Sequence, residues 1–251
     1  MGNGLEVMKS LSFGEVLWDI IDGKEYLGGA PFNLAAHLAK LDCESYMISR
    51  VGNDSRGSIA LKEMLRLGVN SSFVQIDQTH STGTVNATIM DNGIPSYIIN
   101  EDVAYDFIDK SEIISGYFSK IKLDVFCFGS LTQRSNVSRD TIYSLLELLK
   151  PGDVFYDVNL RQNYYSKEII TKSLSYSSIV KLNIEEVEIL SELLYGQKMS
   201  ERIFADKATS DYKVQIVCIT KGSEGCSIFH EGKCESILGI KRRYYRCRRC
   251  I

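Results

Sequence analysis

The sequence has little of what marks a metal centre, a nucleic-acid surface or a membrane span. Its 251 residues include three histidines, and these show no metal-ligand spacing. The formal net charge is only -3, which gives no basis for binding nucleic acid or an anionic membrane. No apolar run is long enough to cross a bilayer, and residues 1–4 do not begin a signal peptide. We therefore expect a protein that acts on small molecules.

Two nucleotide-binding patterns and a disulfide framework are also absent. There is no Walker loop, and no Gly-x-Gly-x-x-Gly follows the first predicted strand, which argues against a dinucleotide-dependent oxidoreductase. The seven cysteines are scattered, and Cys127 and Cys218 lie in apolar strand-like runs, as reduced thiols do. This use of cysteine favours the cytoplasm.

Strand-like and helix-like segments alternate along most of the chain. After residue 125 the order is strand, helix, strand, which predicts an α/β fold with a mostly parallel sheet and right-handed crossovers. Two hairpins interrupt it, around Asp22-Gly23 and around Asp91-Asn92-Gly93. They predict a small β-sheet lid, from about 15–28 and 82–100, inserted in a single domain.

A glycine pair precedes a predicted helix near the N-terminus. Gly28 and Gly29 allow a close backbone approach or a positive φ, and Pro31 suits a first helical turn. Apolar spacing predicts a helix from about Phe32 to Leu41, which puts Asn33 in its first turn. Such a junction can hold a polar ligand, or it can be a plain strand-to-helix turn. The later Asp54 or Ser55 is expected to cap another helix.

The run Gly-Gly-Ala-Pro-x-Asn-Leu-Ala, preceded by Gly-Glu-Val-Leu-Trp-Asp, resembles the N-terminal signature of the ribokinase/fructokinase (PfkB-type) carbohydrate kinases. The resemblance implies a ribokinase-like three-layer fold, ATP and Mg²⁺ as cofactors, and a sugar as substrate. It also implies that Asp19, Gly28, Gly29 and Asn33 bind sugar hydroxyls. In this family the lid closes over the sugar and often pairs with a second subunit's lid, so a homodimer is one expected assembly.

The segment Asp157-x-Asn-x-Arg ends a predicted strand. Arg161 can bind a phosphate or sugar hydroxyls, although a lone arginine after a strand is also a common surface ion-pair partner. The segment resembles fructokinase-type members, which implies that Asn159 and Arg161 contact the sugar and the transferred phosphoryl group.

Two further segments follow predicted strands. Asn183 and Glu186 form a helix capping box by themselves, and the resemblance adds a role in placing magnesium, through water, and the nucleotide phosphates. Thr220, Gly222 and Gly225 form a glycine turn that resembles the family's ATP-binding segment. The spacing alone leaves both roles open, a structural cap or turn and a contact with magnesium or the nucleotide.

The resemblance stops near Leu238. The family's Gly-Ala-Gly-Asp motif, whose aspartate is the catalytic base, is expected next, but a basic tail, Lys241–Ile251, stands there. A frameshift is one explanation, and a solvated basic tail is another. Loss of the base and its anion hole would lower the rate by roughly 10⁴ or more. We therefore expect a fructokinase-like enzyme that is impaired, or a non-catalytic sugar-binding or regulatory protein.

Overall fold

The computed structural model of the chain describes residues 7–89, 95–110, 116 and 122–239. The chain forms two compact units. The first contains the described residues up to Phe128 together with Thr132–Gly152, and the second contains Gly129–Leu131 and the described residues from Asp153 onward. The expectation of a single domain stays a prediction.

The main elements in the described part of the first unit are eight strands and three α-helices. The strands are β1 (Lys9–Phe13), β2 (Leu17–Ile21), β3 (Lys24–Gly28), β4 (Glu44–Gly52), β5 (Asn70–Asp77), β6 (Gly83–Ile89), β7 (Pro95–Ile99) and β8 (Val125–Gly129), and the helices are α1 (Ala30–Lys40), α2 (Ser55–Arg66) and α3 (Asn136–Leu149). Strands β8, β1, β4 and β5 lie side by side in that order, all parallel. A second sheet has the order β3, β2, β6, β7, in which only the β2–β6 pair is parallel.

The core of the first unit forms where α1 and α2 cover the parallel strands. Phe32 and Ala35 of α1 pack with Met47 of β4 and Met64 of α2, and all four side chains are buried. Helix α1 can approach this closely because the Ser45 hydroxyl in β4 donates to the Ala35 carbonyl oxygen at 2.9 Å, which satisfies a buried polar atom.

The hairpin between β2 and β3 closes on a two-residue turn. Asp22 and Gly23 both have positive φ, 50° and 71°, as a type I′ turn requires. This hairpin was predicted from the sequence and is confirmed. The predicted turn at residues 91–93 lies outside the described residues.

The main elements in the described part of the second unit are five strands and three α-helices. They are β9 (Asp153–Asp157), β10 (Ile179–Asn183), β11 (Ile216–Thr220), β12 (Gly225–His230), β13 (Lys233–Leu238), α4 (Lys167–Tyr176), α5 (Ile184–Tyr195) and α6 (Glu201–Tyr212). Strands β9, β10 and β11 are parallel, whereas β12 and β13 continue the sheet antiparallel. The predicted last hairpin is confirmed, with Glu231 and Gly232 at positive φ.

Two elements of the structure were not predicted from the sequence. Strand β5 is half polar because it pairs only with β4 in its sheet. Helix α6 has a narrow apolar face, and its buried residues are Phe204, Ala205 and Ala208. In both elements few apolar side chains define the periodicity, so the sequence signal is weak.

The five cysteines of the described ranges, Cys43, Cys127, Cys218, Cys226 and Cys234, are free thiols, but only Cys127 is buried. No helix in the described part of the chain has the length and apolar character needed to cross a membrane.

A buried ion pair fixes the segment after β7. The Arg134 guanidinium donates to both carboxylate oxygens of Asp106 at 2.8 Å and to the Asn100 carbonyl oxygen at 2.7 Å. The two side chains are only 7% and 6% exposed. Removing the cation would leave a buried carboxylate without its charge partner, which is costly in a protein interior.

We therefore predict that Arg134→Met lowers the free energy of unfolding by about 3–5 kcal/mol. The matched control is Arg66→Met, because Arg66 pairs with Glu63 on the exposed face of α2 and such pairs contribute about 0–1 kcal/mol. Urea unfolding of the three proteins measures the difference, and equal losses in the two variants would contradict the prediction.

Candidate functional site

The structure brings the four residues predicted to bind sugar to the junction of β3 and α1. Gly28 is the last residue of β3, and Gly29 precedes α1 with φ 115°. Asp19 lies on β2 with its carboxylate beside Gly28, because a Cβ atom at Gly28 would be 3.0 Å from Asp19 Oδ2. Asn33 lies in the first turn of α1, and its backbone N–H donates to the Gly29 carbonyl oxygen at 2.9 Å.

Packing also requires glycine at position 29. A Cβ atom there would lie 2.3 Å from the Glu15 carbonyl oxygen, and the φ of 115° is one that other residues rarely adopt. The glycine pair is therefore both a fold requirement and a candidate ligand contact. This geometry is compatible with both alternatives from the sequence, a site for a polar ligand and a plain strand-to-helix turn.

Sequence reasoning missed Glu15, which lies below the same junction. Its side chain is 2% exposed. Glu15 Oε1 accepts from the Ala30 backbone N–H at 3.3 Å, and Oε2 accepts from the Thr132 hydroxyl at 2.8 Å. The sequence signal was an acidic residue at the start of an apolar run, but its partner Thr132 is too distant in the chain for a local pattern to reveal.

Asp54 caps α2, as predicted. Its carboxylate accepts from the Gly57 and Thr82 backbone N–H groups and from the Thr82 hydroxyl, each at 2.8 Å. Burial raises the pKa of Asp54, but these hydrogen bonds outweigh burial, so the pKa lies below its ordinary value. A carboxylate that is fully engaged in this way has a structural role.

In the second unit, Asn183 and Glu186 form the predicted capping box at the start of α5. Asn183 Oδ1 accepts from the Glu186 N–H, and Glu186 Oε2 accepts from the Asn183 N–H, both at 2.8 Å. Glu186 Oε1 accepts in addition from the Leu160 N–H at 2.7 Å. Glu186 therefore joins the start of α5 to the loop after β9.

The loop after β9 carries the other predicted contacts, Asn159 and Arg161. Asn159 has φ 37°, a left-handed conformation that asparagine tolerates. Arg161 is exposed, and its guanidinium donates to the neighbouring Leu160 carbonyl oxygen at 3.0 Å. Among the described residues Arg161 forms no ion pair within 4.0 Å, so its charge is available to a ligand.

Thr220 ends β11, directly opposite Asn183 of β10 in the sheet register. The turn after it contains two glycines that differ in surroundings. A Cβ atom at Gly225 would be 1.9 Å from the Ile237 carbonyl oxygen, whereas no described atom lies within 4 Å of the Cβ position at Gly222. Gly225 is thus required by packing, and Gly222 faces open space.

An open groove of about 880 Å³ lies beside this turn. It is lined by residues of the turn and of strands β12 and β13, namely Lys221, Ser223, Glu224, Cys226, Ser236, Ile237, Leu238 and Gly239. Lys221 Nζ lies 2.9 Å from Glu201 Oε2, so this cation is paired at the groove edge.

We predict different outcomes for alanine at the two glycines. Gly225→Ala forces overlap with backbone atoms and should prevent stable folding, whereas Gly222→Ala should cost about 1–2 kcal/mol, the price of a left-handed non-glycine residue. Thermal unfolding of both variants tests this, and two equally stable proteins would contradict it.

The titration of Glu186 gives a second prediction. Burial raises the pKa of Glu186 above its ordinary value of 4.5, Asp157 raises it further, and the N–H groups of Asn183 and Leu160 oppose the shift. Because the folded protein holds this proton more tightly than the unfolded chain does, ionisation costs stability as the pH rises from 4.5 through the raised pKa.

The free energy of unfolding of the wild type should therefore fall, relative to Glu186→Gln, as the pH increases across this window. Urea unfolding between pH 4 and 8 measures the difference. Glu185→Gln removes the same charge from the adjacent exposed position and should show no such trend. A wild type that gains stability relative to Glu186→Gln over this range would show that the shift has the opposite sign.

Comparison with known proteins identifies relatives that match most of the chain. The uncharacterized sugar kinase PH1459 of Pyrococcus horikoshii is 27% identical over 235 residues, which cover 86% of this chain and 70% of that protein. The fructokinase of Escherichia coli is 25% identical over 85% of this chain and 69% of its own length. The ATP-dependent 6-phosphofructokinase of Thermoanaerobacterium thermosaccharolyticum is 28% identical over 87% of this chain and 70% of its own length.

Solved structures show the same fold. Fructokinase from Vibrio cholerae, in a form with bound fructose, ADP and calcium ion, aligns with a TM-score of 0.77 and 22% identity, covering 93% of this chain and 77% of that chain. PH1459 aligns with a TM-score of 0.76 and 24% identity, over 93% of this chain and 77% of its own. The predicted ribokinase-like α/β fold is confirmed.

The sequence profile described as pfkB family carbohydrate kinase matches residues 6–243. The chain therefore belongs to the pfkB family of carbohydrate kinases, as its N-terminal glycine signature predicted.

Proposed function

We propose that this sugar kinase phosphorylates a sugar hydroxyl with ATP and that fructose is the acceptor. The observation that carries the proposal is the placement of the Asp19 carboxylate beside Gly28. Asn33 lies one helical turn after Gly29, at the start of α1. Relatives named fructokinase support the choice of fructose.

The chemistry of the first unit suits a polyhydroxyl ligand. A carboxylate such as Asp19 can accept hydrogen bonds from two hydroxyl groups, and the Asn33 amide can both donate and accept. Asn33 is half-buried, and within the described residues its side chain has no hydrogen-bond partner, which leaves its amide available for a ligand. In this proposal Asp19, Gly28, Gly29 and Asn33 bind the sugar.

The chemistry of the second unit suits a nucleotide. In the proposal, Asn183, Glu186, Thr220, Gly222 and Gly225 form the nucleotide-binding end of the sheet, and the adjacent groove holds part of the ATP molecule. The open space above Gly222 supports a close approach of phosphate to backbone. In the proposal, Asn159 and Arg161, whose cation forms no ion pair within the described residues, contact the transferred phosphoryl group.

Magnesium fits Glu186 only through water. Both Glu186 oxygens accept backbone N–H groups, and each keeps one further lone pair, enough for a water molecule but not for an inner-shell site. Within the described residues there is no cluster of three or more His, Cys, Asp or Glu side chains that could hold a metal ion. A bound Mg²⁺ would neutralise phosphate charge, while the protein residues position the reactants.

The proposal includes slow turnover. The printed sequence contains no Gly-Ala-Gly-Asp, and the tail in its expected place lies outside the described residues. A non-catalytic sugar-binding or regulatory protein is the alternative that this feature favours. A cytoplasmic location and pairing of two copies through the small sheet stay predictions.

Binding and turnover can be measured separately. Trp18, the one tryptophan of the chain, precedes Asp19 on β2, so its fluorescence should report fructose binding directly. We expect Asp19→Asn to weaken fructose binding by roughly 10- to 100-fold through loss of charge-assisted hydrogen bonds. Asp22→Asn is the matched control, because Asp22 is exposed at the turn of the same hairpin and asparagine accepts its positive φ.

ADP release with fructose and ATP then distinguishes the two functions. Fructose binding with turnover roughly 10⁴-fold below that of an ordinary kinase supports an impaired enzyme, and binding with no turnover supports the non-catalytic alternative. Rapid turnover would refute the impairment. If fructose does not bind, or if Asp19→Asn and Asp22→Asn behave alike, the proposed substrate site is wrong.

A further inference from the structure

Both the side chain and the backbone of Glu15 contact the start of α1. The carboxylate accepts from the Ala30 N–H at 3.3 Å and from the Thr132 hydroxyl at 2.8 Å. The Glu15 carbonyl oxygen lies so close to Gly29 that any side chain there would overlap it. Glu15 is therefore fixed in contact with two consecutive residues of the proposed sugar-binding junction.

The preceding Gly14 makes this contact rigid. Its φ is 144°, and a Cβ atom there would lie 2.7 Å from Pro31 Cγ and 3.0 Å from Thr132 Oγ1. The link between β1 and β2 is thus packed directly against the first turn of α1. A shift of Glu15 would move the junction backbone with it.

Glu15 also sets the charge at this helix start. The first turn of α1 contains no acidic residue, so the partial positive charge of the helix N-terminus is met by a carboxylate from outside the helix. Asp19 supplies a second carboxylate beside Gly28. Two carboxylates flanking one junction favour neutral hydroxyl groups and oppose an anionic ligand.

The arginines in the described part of the first unit are already engaged in intramolecular contacts, so none can bind a phosphate without losing a partner. The pairs are Arg50 with Asp77, Arg56 with Glu25, Arg66 with Glu63, Arg134 with Asp106, and Arg139 with Asn136. Lys24 is exposed at the opposite end of β3, about 13 Å from Gly28 along an extended strand.

We propose that Glu15 is a positioning and specificity residue that makes this junction select an uncharged sugar over a phosphorylated one. The inference rests on the proposed function, since it assigns the substrate class of the same junction. Relatives of this chain include proteins named for each kind of substrate: one is named a 6-phosphofructokinase, and others are named fructokinases.

The test compares binding of fructose and of fructose 6-phosphate by Trp18 fluorescence. Glu15→Gln removes the charge but keeps the shape, because the glutamine oxygen can accept from Ala30 and its amide can donate to the Thr132 hydroxyl. Thr132→Val removes the hydroxyl without changing a charge. Glu63→Gln removes an exposed carboxylate of α2 and serves as the charge control.

We expect wild-type protein to bind fructose more tightly than fructose 6-phosphate. Glu15→Gln should shift the ratio of the two affinities toward fructose 6-phosphate by about 3- to 10-fold, the size of a single charge effect at a helix end. Thr132→Val should weaken both sugars alike, and Glu63→Gln should leave both affinities unchanged. Thermal unfolding of each variant separates these effects from loss of folded protein.

Outcomes for the two proposals are distinct. If the wild type binds fructose but Glu15→Gln leaves the ratio unchanged, the specificity role of Glu15 is wrong and the proposed function stands. A wild type that prefers fructose 6-phosphate also overturns the role of Glu15. If the wild type binds neither sugar, the proposed substrate site fails, and the role of Glu15 fails with it.

Discussion

Carboxylates that accept backbone N–H groups hold the loops of both units. Glu15 binds the start of α1, Asp54 binds α2 and the Thr82 loop, and Glu186 binds the loop after β9. Asp77 does the same for the N–H groups of Thr79 and His80. Each carboxylate satisfies donors that a helix start or turn would otherwise leave unpaired. Two of them hold backbone next to candidate site residues, Glu15 at the start of α1 and Glu186 at the loop after β9.

Both Asp77 and Glu186 accept backbone N–H groups, but the pKa of Asp77 is lowered and the pKa of Glu186 is raised. Burial raises the pKa of Asp77, but the N–H groups of His80 and Thr79, the His80 side chain and Arg50 outweigh it, so the pKa is lowered. At Glu186 burial dominates, and the pKa is raised. At Asp77 the hydrogen-bonding groups together outweigh burial, whereas at Glu186 the two N–H groups do not, and the nearby Asp157 carboxylate raises the pKa further.

Local sequence patterns predicted the elements whose causes are local. The turns at Asp22-Gly23 and Glu231-Gly232 require positive φ at adjacent residues, and the start of α5 is a capping box within four residues. The role of Glu15 could not be predicted because its partner Thr132 is distant in the chain. Likewise, the two glycine segments do not reveal in sequence that Gly29 and Gly225 are required by backbone contacts whereas Gly222 is not.

The contacts of Arg134 affect the way in which the native structure opens locally. Its guanidinium binds the Asn100 carbonyl oxygen at one end of a loop and the Asp106 carboxylate at the other. Releasing either end exposes part of a buried ion pair, so the residues between them open together or not at all. The hydrogen-bonded N–H groups of this loop, those of Val103, Ala104 and Asp106, should therefore exchange at a rate set by the buried charges at its ends.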